Sequence, residues 1–278
     1  MSERNDMSGT EVSATLDGSV LVVRLINERS RNSLTADLRS QLAAAVTSAA
    51  SDPAVRAIYI TGQGAAFCSG GDLHMLKKEH DPWSVHRRFQ MLRSWFLSFL
   101  QIPKPVIVGV NGYAVGGGMG LALAGDLIYA AEDAQFISGF FRLGVVPDVG
   151  TMYTLPRLIG MARTKRFLFG DEPMTAREAY ECGLVAKVVP RAELDEACLA
   201  KARQLAAGPS EVIGLSKSLL ARTFETGMNE MFLLESFGQG LAMSSDEFEE
   251  GLSAMLEKRP AKFAEASPKP GDKTGSKP

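Results

Sequence analysis

Residues 105–125, PVIVGVNGYAVGGGMGLALAG, run without a single charge. That length would span a bilayer as a helix. The stretch also holds two GxxxG pairs, Gly112 with Gly116 and Gly116 with Gly120, a spacing that suits packed membrane helices. Its composition opposes that structure. Seven of the residues are glycine, with Pro105 and Asn111 besides, and each interior glycine costs a helix about 1 kcal/mol relative to alanine. The stretch is better accommodated as a strand over Val106–Val110, a glycine loop at Gly116–Gly118 and a buried helix to about Ala124. A strand, loop and helix in that order predict a mixed α/β core.

The rest of the chain extends this pattern. Val20–Ile26, Ala57–Thr61 and Leu127–Ala131 are short apolar runs that predict strands. Leu38, Leu42, Ala45, Val46 and Ala49 share one face of a helix that begins after Thr35, a suitable N-cap, and stops at Asp52-Pro53. Gly62–Leu73 is a second glycine-rich loop. Residues 83–100 predict a helix closed by Pro103-Lys104-Pro105, since proline has no amide to donate. Beyond about residue 155 the pattern is mainly helical, with a short strand expected at Val185–Val189. Thr175 to Glu178 and Ser244 to Glu247 both have capping-box spacing, Gly183 suits a helix C′ position, and Pro260 is expected to close the last helix. The domain organisation expected is a core over residues 1–205, a helical region for oligomerisation over 206–265 and a disordered tail over 266–278.

With 278 residues the chain can bury a sizeable core as one large domain or two. Thirty basic residues against 32 acidic ones give a net charge of −2, so no overall field favours nucleic acid. Cys68, Cys182 and Cys198 form no CxxC pair. Structural zinc is not expected, and a reducing compartment fits. The polar stretch Met1–Ser19 has no apolar segment of the kind a secretion signal needs. Together these readings predict a cytoplasmic protein that binds neither membrane nor nucleic acid.

Several chemical motifs start and fail. Gly62 and Gly64 open a GxGxxG pattern, but Phe67 stands where its third glycine belongs. Phe67 also breaks GxSxG around Ser69. His74, His80 and His86 are spaced by six, which puts neighbours about 120° apart on a helix and prevents them from converging on one ion. What remains is two glycine loops at strand ends. Backbone amides there can hold an anion or a developing oxyanion, and glycine at the same positions also permits tight packing of one backbone on another. Spacing alone leaves both roles open.

Phe67-Cys-Ser-Gly-Gly-Asp-Leu73 and Asn111-Gly-Tyr-Ala-Val-Gly-Gly-Gly118 resemble the two signature loops of the crotonase superfamily, the enoyl-CoA hydratase/isomerase family. Arg31-Asn32-Ser33-Leu34, Val146-Pro147-Asp148-Val149-Gly150 and Glu257-Lys258-Arg259-Pro260 match further family segments in order and spacing. The resemblance covers residues 12 to 264. It implies a spiral of repeated strand and helix units with a C-terminal helical region, assembled as a homotrimer or homohexamer. The implied substrate is an acyl-CoA thioester, with no cofactor beyond the CoA it carries. By position, the N–H groups of Gly71 and Gly117 would hold the thioester oxygen. Ser69, Gly70, Asp72 and Leu73 would complete the substrate-binding loop, with Asp72 also expected to cap the helix that follows. Arg31 and Lys258 would meet the CoA phosphates, Lys258 from a neighbouring subunit.

The chain departs from the hydratases of that family. They carry two glutamates, at positions that here are Gly120 and Phe140. Neither residue can move a proton. Asp148 stands where epoxide-type phenylacetyl-CoA isomerases of the superfamily resemble this chain in carrying an acid, and a carboxylate at that place is the nucleophile of the aryl-CoA dehalogenase branch. Asp is also a common turn-former after proline. The resemblance therefore implies a double-bond, ring or epoxide isomerase using one carboxylate. The alternatives are an atypical hydratase or other CoA-thioester hydrolase or lyase, and an acyl-CoA-binding protein without catalysis.

Overall fold

The computed structural model describes residues 9, 11–78 and 81–266. The tail expected over 266–278 lies outside them apart from its first residue, as does His80. The chain enters through a hairpin of β1 (Val12–Asp17) and β2 (Val20–Leu25). α1 (Ala36–Ser51) follows, with the Thr35 hydroxyl accepting the Leu38 amide at 3.0 Å. Next come β3 (Ala57–Gly62), β4 (Ala66–Cys68), α2 (Leu73–Lys78) and α3 (Pro82–Leu100). A second turn supplies β5 (Val106–Val110), β6 (Tyr113–Val115) and α4 (Gly117–Ala122). A third supplies β7 (Leu127–Ala131) and β8 (Gln135–Ile137), then α5 (Thr151–Ile159) and α6 (Met161–Gly170). β9 (Met174–Thr175), α7 (Ala176–Glu181), β10 (Lys187–Val189) and α8 (Leu194–Ala207) close the core. Four helices complete the described chain: α9 (Ser210–Leu220), α10 (Met228–Met243), α11 (Asp246–Glu257) and α12 (Phe263–Ala266).

Each turn of the chain gives one strand to each of two sheets. The larger sheet has the order β1-β2-β3-β5-β7-β10 and is parallel from β2 onward. The smaller has the order β4-β6-β8-β9, and its first three strands are parallel. This is the expected spiral. The two glycine loops are not loops throughout, however. Three-residue strands, β4 and β6, sit inside them, and β1, β8 and β9 also lie outside the expected strands.

Two expectations at the C-terminal end need correction. Ser245, not Ser244, caps α11 by accepting the Phe248 amide at 3.2 Å. No reciprocal box forms there because the Glu247 carboxylate is used elsewhere. It accepts the Glu211 and Val212 amides at 3.3 and 3.2 Å, at the start of α9, and pairs with Arg56 at 3.4 Å. Arg56 also donates to the carbonyls of Ala206 and Gly208, at 2.7 and 2.8 Å. Glu247 is 2% exposed, and a buried charge is tolerated when paired and hydrogen-bonded in this way. Nor does Pro260 end the helices: Lys258 terminates α11 in the left-handed conformation, and α12 follows. The Thr175–Glu178 capping box and the positive φ of Gly183 are both present.

Candidate active site

Parallel strands leave their carboxyl ends on one side, and in open α/β sheets ligands gather there. Here β4, β6 and β8 deliver three such ends to one cavity of about 500 Å³: Ser69 to Leu73, Val115 to Gly117, and Ser138 to Phe140. Arg31 and Asp148 also line it. A smaller chamber of about 70 Å³ adjoins it and shares Gly71, Gly117 and Asp148. Its other walls are the apolar Leu34, Met75, Leu76, Phe89, Leu92 and Val149, together with Arg39 and Arg88.

Backbone packing builds the first loop. Arg31 and Asn32 both have positive φ, which lays the segment before α1 against the end of β4. Ser69 N donates to Arg31 O at 2.9 Å, Leu34 N to Gly70 O at 2.7 Å, and Ser69 Oγ to Ser30 O at 2.8 Å. Gly70 has φ +84, and a Cβ there would lie 2.5 Å from the Val115 carbonyl oxygen. At Gly118 it would lie 2.3 Å from the Cys68 carbonyl oxygen. These two glycines therefore serve close approach of the loops. Gly71 and Gly117 instead border both chambers. Among the described residues neither of their amides donates to another protein group.

Asp148 sits in a turn closed by its own backbone, with Thr151 N donating to Asp148 O at 2.9 Å. The carboxylate adds a contact with the residue's own backbone amide. One carboxylate oxygen, Oδ1, is buried and has no hydrogen-bond partner among the described residues. Burial raises its pKa to about 6, against the opposing pull of the Arg88 guanidinium.

The other polar and charged residues near the glycine loops separate by their contacts. Asp72 borders the cavity, but its carboxylate accepts the His74 amide at 2.9 Å and caps α2. Leu73 is exposed at the cavity edge. Cys68 is fully buried, and burial pushes its thiol up to about 12, which leaves it a poor nucleophile. Asp126 accepts the Val106 amide at 2.7 Å and pairs with Lys217 at 2.8 Å, a structural role. Lys258 is exposed at the end of α11 and does not line the cavity of its own chain. Of the nine residues expected at the site, the fold brings eight together and leaves Lys258 apart.

Both missing glutamates have a structural counterpart. A Cβ at Gly120 would stand 2.5 Å from Val149 O and 2.8 Å from Val149 Cβ, so this backbone has no room for a side chain there. Phe140 lines the larger cavity as a buried apolar ring. Sequence reasoning missed Ser138, whose buried hydroxyl has no partner among the described residues, and Arg39 and Arg88 in the small chamber. Treating Gln135–Ile137 as a third short strand would have found Ser138.

A spiral that feeds two sheets and places paired glycine loops over one chamber defines the class of acyl-CoA enzymes that share this scaffold. The chain belongs to the enoyl-CoA hydratase/isomerase family, which matches residues 15–266. It is 34% identical over 268 residues to a Rhodobacter capsulatus protein named "Probable enoyl-CoA hydratase", covering 92% of this chain and 99% of that one. It is 33% identical over 256 residues to the 1,2-epoxyphenylacetyl-CoA isomerase of Escherichia coli, covering 89% and 96%. The crystal structure of an enoyl-CoA hydratase/isomerase from Cupriavidus metallidurans superposes with a TM-score of 0.87 at 29% identity, covering 91% of this chain and 96% of that one. Among the described residues no helix is long and apolar enough to cross a membrane.

Proposed function

We propose that this chain is an acyl-CoA isomerase in which Asp148 removes an α proton from an enoyl-CoA and returns it at the γ carbon. The N–H groups of Gly71 and Gly117 hold the thioester oxygen as negative charge builds on it; one such donor is typically worth about 3 kcal/mol of barrier. The observation that carries this reading is Asp148 itself, a carboxylate that borders both chambers with one oxygen buried and unpartnered. With a pKa near 6 it is ionised at neutral pH and still basic enough to take a proton.

Hydration would need a second group to manage water. The names of relatives favour that alternative, more of them being hydratases than isomerases, while the closed space at Gly120 and the ring of Phe140 speak against it. Binding without turnover is the third reading. Arg31, exposed at the cavity mouth, is placed to meet a CoA phosphate, and Lys258 would reach one only from another subunit. Phe224, Met228, Phe232, Phe237 and Leu241 are exposed along the C-terminal helices, which supports a homotrimer or homohexamer built through them. The three free cysteines fit a cytoplasmic setting. The double-bond shift calls on no cofactor beyond the CoA of the substrate.

The test is deuterium incorporation at the α carbon of a 3-enoyl-CoA in heavy water, read by mass spectrometry. Wild type should exchange, and Asp148→Asn should bind the thioester without exchanging. Equal rates in the two proteins would reduce Asp148 to a turn residue. Solvent oxygen in the product would favour hydration, and no exchange across enoyl-, aryl- and epoxy-CoA thioesters would favour the binding protein.

A further inference from the structure

Asp171 terminates α6 in the left-handed conformation, with φ +51° and its amide donating to Phe167 O at 3.2 Å. From there its carboxylate reaches the stretch of cavity wall that follows β8. Oδ1 accepts the Gly139 amide at 3.1 Å, and Oδ2 accepts Arg142 Nε. Arg142 Nη2 donates in turn to Asp171 O at 2.7 Å. Phe141 and Phe169 add a ring contact between the same two segments, their centroids 5.8 Å apart. The Asp171 side chain is 18% exposed, and Asp171 lines neither chamber.

An ion pair with an exposed partner ordinarily adds little to stability. What sets this one apart is the residue between its points of attachment. Gly139 and Arg142 bracket Phe140, so one carboxylate fixes both ends of the turn from which that buried ring projects. The ring faces the second glycine loop. A Cβ on Gly116 would stand 3.7 Å from Phe140 Cε1 and 3.5 Å from Ser138 O. Gly116 has φ +53°, and its amide donates to Ile137 O at 2.9 Å. The peptide group that carries the Gly117 N–H is therefore set by the end of β8 on one side and by the Phe140 ring on the other.

We infer that Asp171 is a positioning residue: it clasps Gly139 and Arg142 so that Phe140 bears on Gly116 and keeps the Gly117 N–H aimed at the thioester oxygen. It touches no substrate and acts through the wall it holds. This inference rests on the thioester lying at Gly71 and Gly117, as the proposed function has it. The effect belongs on kcat, because a donor of this kind counts most when charge builds on the oxygen.

The test is the carbonyl stretch of a bound thioester, since hydrogen bonds to the oxygen weaken the C=O bond and lower its frequency. Butanoyl-CoA labelled at the thioester carbonyl cannot undergo the double-bond shift, and infrared difference spectra report its band. In wild type the band should lie below that of the free thioester. Asp171→Gly accepts the left-handed backbone and removes the carboxylate. It should return most of the band toward the free position and lower kcat for a 3-enoyl-CoA by about 30-fold, with KM within about twofold. Asp171→Asn suits the same backbone, keeps an acceptor for the Gly139 amide and loses the ion pair. It should fall between the two, and it carries the test if Asp171→Gly does not fold. In a Phe140→Leu background Asp171→Gly should cost no more than about twofold further, because the ring that transmits the effect is gone. A band and a kcat unchanged in both Asp171 variants would overturn the positioning role and leave the thioester site standing. So would a raised KM at constant kcat, the mark of a pair that serves binding alone, or fully additive losses with Phe140→Leu. No shift of the band in wild type would overturn the thioester site at Gly71 and Gly117, and the positioning role with it.

Discussion

The two sheets are built from the same turns of chain and have different duties. In the larger one, β3 and β5 are buried along their whole length, and Ile58, Ile60, Val106 and Val108 reach no solvent. Its strands are long enough for cross-strand pairing and burial to accumulate. In the smaller one the strands are two or three residues long, and the pairing of β4 with β6 shifts register between Ala66 and Cys68. Yet the ends of β4, β6 and β8 bring Ser69 to Leu73, Val115 to Gly117 and Ser138 to Phe140 to the cavity. The comparison teaches that this chain separates what holds it together from what faces the ligand. Substitutions in one sheet should then move stability, and substitutions at the ends of the other should move turnover.

The largest effect expected is at the site. Asp148→Asn should lower turnover by about 10³-fold, within the range of general base catalysis, and should raise stability at the same time. The native carboxyl has a pKa of about 6, above its unfolded value. The folded state therefore binds the proton more readily, and wild type loses stability as pH rises from about 4 through 6. Asparagine carries no such penalty. Thermal melts should place the variant above wild type at pH 7.5 and level with it below pH 4. A lower melting temperature at pH 7.5 would show that the carboxylate supports the fold.

Next is Ile60→Ala in the larger sheet. Deleting this buried side chain should cost about 3 kcal/mol of unfolding free energy, as large-to-small core changes do. Turnover per folded molecule should stay within about twofold; a loss above tenfold would break the division between the sheets. Gly71→Pro tests that division from the other side. It deletes one amide of the proposed oxyanion site and should reduce turnover by about 10²-fold, while circular dichroism reports an unchanged fold. The smallest effect expected is Thr35→Ala, which removes the cap of α1. Urea unfolding should shift by about 1 kcal/mol.

This division also explains what the sequence made legible. The inner strands of the larger sheet are continuous apolar runs bounded by turns, and their expected limits match within a residue: Val20–Leu25, Ala57–Gly62, Val106–Val110 and Leu127–Ala131. β1 escaped because it is an edge strand, half-polar and largely exposed. β4, β6 and β8 escaped because three residues give no period to count, and the glycines around them disguise strand as loop. At the site, the motif residues Gly71, Gly117 and Asp148 border one space. Motif order could not show that Gly70 and Gly118 are packing glycines, because that follows from which carbonyl lies 2.5 or 2.3 Å from each missing Cβ. Nor does a residue string reveal that Val149 is held at positive φ or that Glu247 leaves its own helix for Arg56.

The pairing of Glu247 with Arg56 sets a schedule for making the protein. The partners are 191 residues apart, and contacts of such separation form late and slowly. While the last helices are still being added, the Glu247 carboxylate is not yet there for Arg56 or for the amides at the start of α9. Closure comes only when α11 emerges, so a chain released before that helix would leave the docking of α9 unfinished.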